Sequence, residues 1–314
     1  MTQNLPRKET VGPHVGLIVV QILFATWPIF GKLVLRSMSS PTLVFLRVTG
    51  AALALVLIQR KITPLFKMPT RDVLWLTFCS IVGVVGNQFL FVKGLSLTTA
   101  INATLLSSAI PVFTLFVSIV FGYDNISAKR VFGIALAISG VVLLVNPARA
   151  DFSVHTTIGN LLIICNSFLY ATYIVISKDL FQRYGALNVI TWIFLVGATL
   201  SLPAGIYTFR TENLQSVSAT VWLAIGFIVL FPTVGAYYLN AWALTKVAPS
   251  IVAVYIYLQP LIAFGLAPLV LGERLNTHTL YSALLIFAGV AVVTRSSKSR
   301  AVREITEHPD ATGR

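Results

Sequence analysis

Thr104, Ser108 and Pro111 fall at i, i+4 and i+7, on one face of a helix, and 149 residues further on Ala253, Tyr257 and Pro260 repeat that spacing. Asn87 and Phe91 share a second face, Tyr237 and Asn240 lie about one turn apart, and Gln259 stands beside the second proline. Trp27 and Tyr173 correspond to one another at a distance of 146 residues. The set is aromatic and amide-rich rather than charged, which suits a planar or amphipathic solute held by stacking and a few hydrogen bonds. Pro111 and Pro260 add a helix kink, because each lacks an N–H and frees a carbonyl in the preceding turn for a ligand or a neighbouring helix. No nucleophile with a base, no paired carboxylates and no metal-ligand cluster accompanies them, and no GxxxxGK[ST] loop is present. The expectation is therefore a binding site without catalysis, cofactor or metal.

Such side chains need elements that carry them into an apolar medium. Of 314 residues 56% are hydrophobic and 11% charged, with a mean hydropathy of +0.85, too little polar surface to coat a soluble globule. Ten apolar stretches recur, at about 15–35, 42–59, 73–95, 100–121, 130–146, 157–177, 187–208, 218–243, 250–271 and 278–294. Each is close to the roughly 20 residues that a helix needs to cross about 30 Å of hydrocarbon. The first stretch has no small-residue cleavage pattern before Lys32 and Arg36, so it reads as retained rather than as a signal peptide. The net charge of +13 is dispersed between the stretches, which speaks for topology signals and against nucleic-acid binding. Sorted by alternating sides, sixteen of the 23 Lys and Arg fall with the N-terminus and six opposite, and Arg47 lies inside the second stretch. By the positive-inside rule both termini of a multi-pass membrane protein are expected in the cytoplasm. Cys79 and Cys165 match no disulfide or metal spacing and read as small buried residues.

The chain also repeats itself. "FATWPIFGK" (24–32) returns as "YATYIVISK" (170–178), and at an offset of 149 Gly86 pairs with Gly235, Leu90 with Leu239, Pro111 with Pro260 and Gly140 with Gly289. Five stretches per copy is an odd number, so the second copy enters the membrane upside down. The fold class expected is an all-α integral membrane protein, ten transmembrane helices as two inverted five-helix repeats. Its divisions are a tail (1–13), repeat one (14–147), a linker (148–156), repeat two (157–295) and a polar tail (296–314). Lys32 and Lys178 end their stretches and read as snorkelling to the interface; so does Arg47, some five residues from the outer end of its helix, although an Arg47 facing a cavity would attract a carboxylate.

Those paired strings, with "SSAIPVFTLFVSIVFG" (107–122), "YLQPLIAFGLAPLVLGERL" (257–275) and "LVFLRVTGAALALVL" (43–57), resemble the drug/metabolite transporter superfamily, specifically its EamA-type permeases. The resemblance covers 14–295. It implies a secondary transporter in a bacterial inner membrane, an exporter by preference, of a small metabolite that is amino-acid-like or aromatic, working by alternating access as a monomer or homodimer. The alternatives are an organic-anion or sugar-phosphate carrier using Arg47, Lys93 or Lys246, and a receptor of the same fold that binds without flux. Rings of acidic residues or a filter-like glycine string, expected of a channel, are missing.

All ten Asp and Glu and all four His lie in tails, loops or helix ends, so no proton relay is expected at mid-depth. An imposed pH gradient without counter-substrate is expected to drive no net flux through the protein in liposomes; flux that follows that gradient strictly would contradict this reading.

Overall fold

The computed structural model describes residues 11–59, 67–98, 103, 106–145, 154–262, 281 and 284–293. The chain is helical throughout these residues, with no strand among them. In chain order the helices are α1 (Val11–Leu35), α2 (Ser40–Ile58), α3 (Thr70–Leu97), α4 (Ile110–Val120), α5 (Ala128–Val145), α6 (Val154–Ile176, carried on by Lys178–Tyr184), α7 (Ala186–Leu200, then Leu202–Thr211), α8 (Ala219–Leu244), α9 (Pro249–Ile262) and α10 (Leu284–Val293). Among the described residues five helices are long and apolar enough to cross a membrane, and a sixth if the 51° bend in α7 lies within one span. Leu53, Leu57, Leu74, Phe116 and Leu223 point outward, Leu57 with 81% of its surface exposed. A lipid-facing surface requires this arrangement and water would oppose it.

Two helices depart from α geometry at the same place. In α3 the segment Ile81–Gly86, and in α8 the segment Val229–Gly235, widen to a π-helix, each ending on one of the glycines paired in the sequence. In α8 the cause is local. Pro232 has no N–H for the Ile228 carbonyl, and the Thr233 hydroxyl takes that carbonyl at 2.7 Å. The surroundings repeat as well. A Cβ on Gly86 would stand 3.0 Å from Leu169 and 3.1 Å from the Ile81 carbonyl; one on Gly235 would stand 3.5 Å from Leu23 and 3.4 Å from the Leu230 carbonyl. Leu23 and Leu169 correspond at 146, and Ile81 and Leu230 at 149.

Packing follows the same pairing. α6 runs along Asn87–Leu97 of α3 as α1 runs along Ala236–Leu244 of α8, while α2 packs on α7 and α4 on α9. The α3–α6 crossing is set by glycines, since Gly159 lies so close that a Cβ would meet three backbone atoms of Gly94, Leu97 and Thr98 at 2.9–3.0 Å. The Lys32 ammonium donates to the Thr98 carbonyl at 2.8 Å, closing the C-terminal end of α3, so this lysine acts as a cap. Lys178 lies over the Tyr123 ring at 5.3 Å. Gly185, at φ 82°, lets the chain turn from Tyr184 into α7 where a side chain would be strained.

Gly159→Ala drives a methyl into backbone that cannot yield and is expected to cost about 1–3 kcal/mol. Gly226→Ala, with nothing within 4 Å, is expected to be neutral or to stabilise by about 0.5–1 kcal/mol. Thermal midpoints of the purified protein in detergent check both; equal midpoints for the two variants would contradict the packing described.

Candidate functional site

Arg47 is buried with 2% of its surface exposed, and unlike Arg130, which pairs with the buried Asp124, it has no carboxylate in contact among the described residues. The expectation that it snorkels is corrected. α2 turns this residue away from lipid, toward α1, α3 and α8, where polar acceptors stand ready. Its Nε–H donates to Thr233 Oγ1 at 2.6 Å, one terminal nitrogen donates to Gln88 Oε1, and the other reaches the Pro232 carbonyl at 3.5 Å. Its Cζ sits 3.9 Å from the centre of the Trp27 ring. The π segment of α8 thus supplies two of the three acceptors, Thr233 and Pro232. Of the five N–H groups on a guanidinium, three are engaged, which leaves one on each terminal nitrogen.

From Arg47 a polar chain crosses the interior. Gln88 Nε2 donates to the Tyr237 hydroxyl at 2.7 Å, and that hydroxyl shares its proton between Asn87 Oδ1 at 3.3 Å and the Gly83 carbonyl at 3.5 Å. Asn166 donates to the Asn87 carbonyl at 2.8 Å, and Gln259 to Gln21 at 2.7 Å. Phe24, Tyr170 and Tyr237 meet edge to face with ring centres 6.0–6.3 Å apart, and Phe91 stacks on Trp27 at 5.9 Å.

These groups line a cavity of about 80 Å³. That volume holds a few waters, whereas small-molecule sites usually measure about 300–1,000 Å³. The lining falls into two sets. Phe24 with Tyr170, Gln88 with Tyr237, Ser107 with Ile256 and Ile110 with Gln259 are pairs at the repeat spacings, and both members of each pair line the cavity. Gln88 and Tyr237, equivalent at an offset of 149, bond to each other. The second set, Trp27, Pro28, Arg47, Asn87, Phe91 and Ala103, comes from the first half of the chain, and its counterparts in the second half do not reach the cavity. Asn166 completes the wall.

Trp27, Asn87, Phe91, Tyr237 and Gln259, all expected from the sequence, are brought together here. Tyr173 and Asn240 lie one layer behind: Tyr173 rests flat on Gly83, and Asn240 donates to the Tyr170 hydroxyl at 2.7 Å. Tyr257 is buried away from the cavity, its hydroxyl without a partner. Ser108 borders a separate apolar hollow of about 350 Å³ with Val112, Phe113 and Ile138. Thr104 lies outside the described residues. Pro111 does not kink a continuous helix; α4 restarts at Ile110, and Pro111 occupies its first turn, where the missing N–H is not needed. Pro260 follows a tight 3₁₀ turn, Tyr255–Tyr257. Lys93 and Lys246 are exposed and take no part. Gln88, Tyr170 and Asn166 escaped the sequence reading, although polar side chains inside apolar stretches were the available signal. Among the described residues no group of three His, Cys, Asp or Glu could hold a metal ion.

The EamA-like transporter family matches the chain over residues 13–146 and again over 157–295. An uncharacterized transporter of Archaeoglobus fulgidus is 29% identical over 289 residues, 90% of this chain and 96% of that protein. A probable terminal-alkyne amino-acid exporter of Streptantibioticus cattleyicolor is 25% identical over 233 residues, covering 73% and 76% of the two chains, and an S-adenosylmethionine uptake transporter of Rickettsia bellii is 24% identical over 213, covering 68% and 69%. A solved crystal structure superposes with a TM-score of 0.73 at 19% identity, over 92% of this chain and 98% of the other, and so shares the fold. With lipid-facing helices around a polar interior and a family match to both halves, this multi-pass membrane protein belongs to the EamA-like transporter family.

Proposed function

We propose that the protein is a secondary transporter that moves a small carboxylate-bearing metabolite, amino-acid-like or aromatic, by alternating access between two inverted five-helix repeats, 14–147 and 157–295. The observation that carries the substrate class is Arg47. A guanidinium with two unused N–H groups, facing a cavity with no carboxylate of the protein's own in contact, is an anchor for an anionic group of the solute. Trp27, Phe91, Phe24, Tyr170 and Tyr237 offer ring faces and edges to an aromatic or apolar remainder. The repeat reading draws support from the paired π segments of α3 and α8 and from the contact of Gln88 with its equivalent Tyr237. The small cavity is what an occluded step of such a cycle would present.

An organic-anion carrier is the second reading, and the same arginine favours it. The exposure of Lys93 and Lys246 leaves a single cation at the cavity, which matches one carboxylate better than a phosphate dianion. Export is taken from the resemblance, since of two relatives named for a solute one is called an exporter and the other an uptake transporter. A bacterial inner membrane with both termini in the cytoplasm remains part of the proposal, on the bias of Lys and Arg.

Counterflow of a labelled aromatic amino acid into proteoliposomes preloaded with unlabelled amino acids tests this function. Uptake is expected in the wild type and is lost in Trp27→Ala. Arg47→Gln, which removes the charge, is expected to reduce uptake from dilute solute by at least about tenfold, and Arg47→Lys less, because an ammonium keeps the charge but not the fork. Binding of the amino acid without any flux in the wild type would instead favour a receptor, and undiminished uptake in Arg47→Gln would remove the anchor.

A further inference from the structure

The cavity is lopsided about its own symmetry. Four residue pairs line it from both halves, yet Trp27, Arg47 and Phe91 line it without their counterparts. The counterparts of Trp27 and Phe91 are Tyr173 and Asn240. Tyr173 fills the space where the matching extension would lie, pressed so closely on Gly83 that a Cβ there would stand 2.1 Å from the ring. Behind Tyr170, Asn240 is buried to all but 5% of its surface, and while its Nδ2 donates to Tyr170, its Oδ1 has no donor among the described residues. A buried amide oxygen without a donor is costly and uncommon, and it calls for a partner that another state or a ligand provides.

We propose that Tyr173, Asn240 and the Gly83 carbonyl form a second wall of the solute site, closed in this conformation, which receives a hydrogen-bond donor of the solute, an ammonium above all, while Arg47 holds the carboxylate. This rests on the transporter reading and on the two repeats, and it narrows the substrate to zwitterions. The groups around this wall are acceptors and ring faces: Asn240 Oδ1, the Gly83 carbonyl that now takes a long 3.5 Å bond from Tyr237, and the rings of Tyr170 and Tyr173, which meet at 6.0 Å. Oxygen acceptors and aromatic faces together are the surroundings that hold an ammonium. Opening requires Tyr173 to leave Gly83, and the glycine is what allows the ring to lie there in the closed state.

The test compares phenylalanine with 3-phenylpropionate, which lacks the ammonium, in counterflow by the full-length protein in liposomes. Wild type is expected to prefer phenylalanine by about tenfold or more, the worth of a hydrogen bond to a charged group, and Asn240→Leu to reduce that preference to about threefold or less while 3-phenylpropionate still moves. An unchanged preference in Asn240→Leu, or none in the wild type, overturns the proposal and leaves the carboxylate anchor standing. A wild type that moves neither solute refutes the transporter reading instead, and a measurement without flux then decides the second wall. In a Cys79→Ser, Cys165→Ser background, the thiol of Asn240→Cys is expected to react slowly with a membrane-impermeant maleimide, and several-fold faster when Gly83→Ala pushes Tyr173 aside. Equal rates with and without Gly83→Ala overturn the proposal.

Discussion

A guanidinium buried among lipid-facing helices without a carboxylate beside it is the constraint around which the interior is arranged. Taking such an ion out of water costs several kcal/mol even after relaxation. Here neutral dipoles meet it: an amide oxygen from Gln88, a hydroxyl from Thr233, the Pro232 carbonyl and the face of Trp27. Each depends on a further feature. Thr233 and Pro232 present their oxygens because α8 is widened at that point, and Gln88 is held by Tyr237, which in turn leans on Asn87 and Gly83. The charge is thereby tolerated but not neutralised, and two of its N–H groups have no acceptor among the described residues. A site that binds and releases an anion needs this balance, because a resident carboxylate would compete with the solute.

The duplication explains where that site can be. Gln88 touches Tyr237 and Phe24 touches Tyr170, each residue meeting its equivalent in the other half of the chain. The cavity has walls from both halves. Arg47 breaks the symmetry, for the Ala186–Leu200 part of α7 carries no cation in return, and among the residues that line the cavity the charge comes from the first half of the chain.

Much of this was legible in the sequence, and the missing parts have physical causes. Hydropathy and the paired strings located the helices, and Trp27, Asn87, Phe91 and Tyr237 emerged because aromatic and amide groups at mid-depth must face inward. The direction of Arg47 could not be read, since a long side chain five residues from a helix end can reach either water or the interior, and only the rotation of α2 against α1 and α8 decides. Gln88 shows its role only through Arg47. Ser108 and Tyr257 correspond in sequence but the bulk at that position differs, so one borders an apolar hollow and the other is packed away. Tyr173 and Trp27 look equivalent, yet Trp27 lines the cavity and Tyr173 packs on Gly83, a difference of packing that no spacing records. The π segments were foreshadowed by Gly86 and Gly235 and by Pro232, yet their width becomes apparent only in the backbone.

The central claim is that a carboxylate of the solute binds at Arg47, and the most direct measurement is calorimetric titration of the purified protein with 3-phenylpropionate and with its uncharged amide, in wild type and in Arg47→Met. The account predicts that wild type binds the acid at least about tenfold tighter than the amide, as expected for a desolvated charge pair, and that Arg47→Met binds the two alike. Equal affinities in the wild type, or a preference for the acid that survives in Arg47→Met, would contradict it.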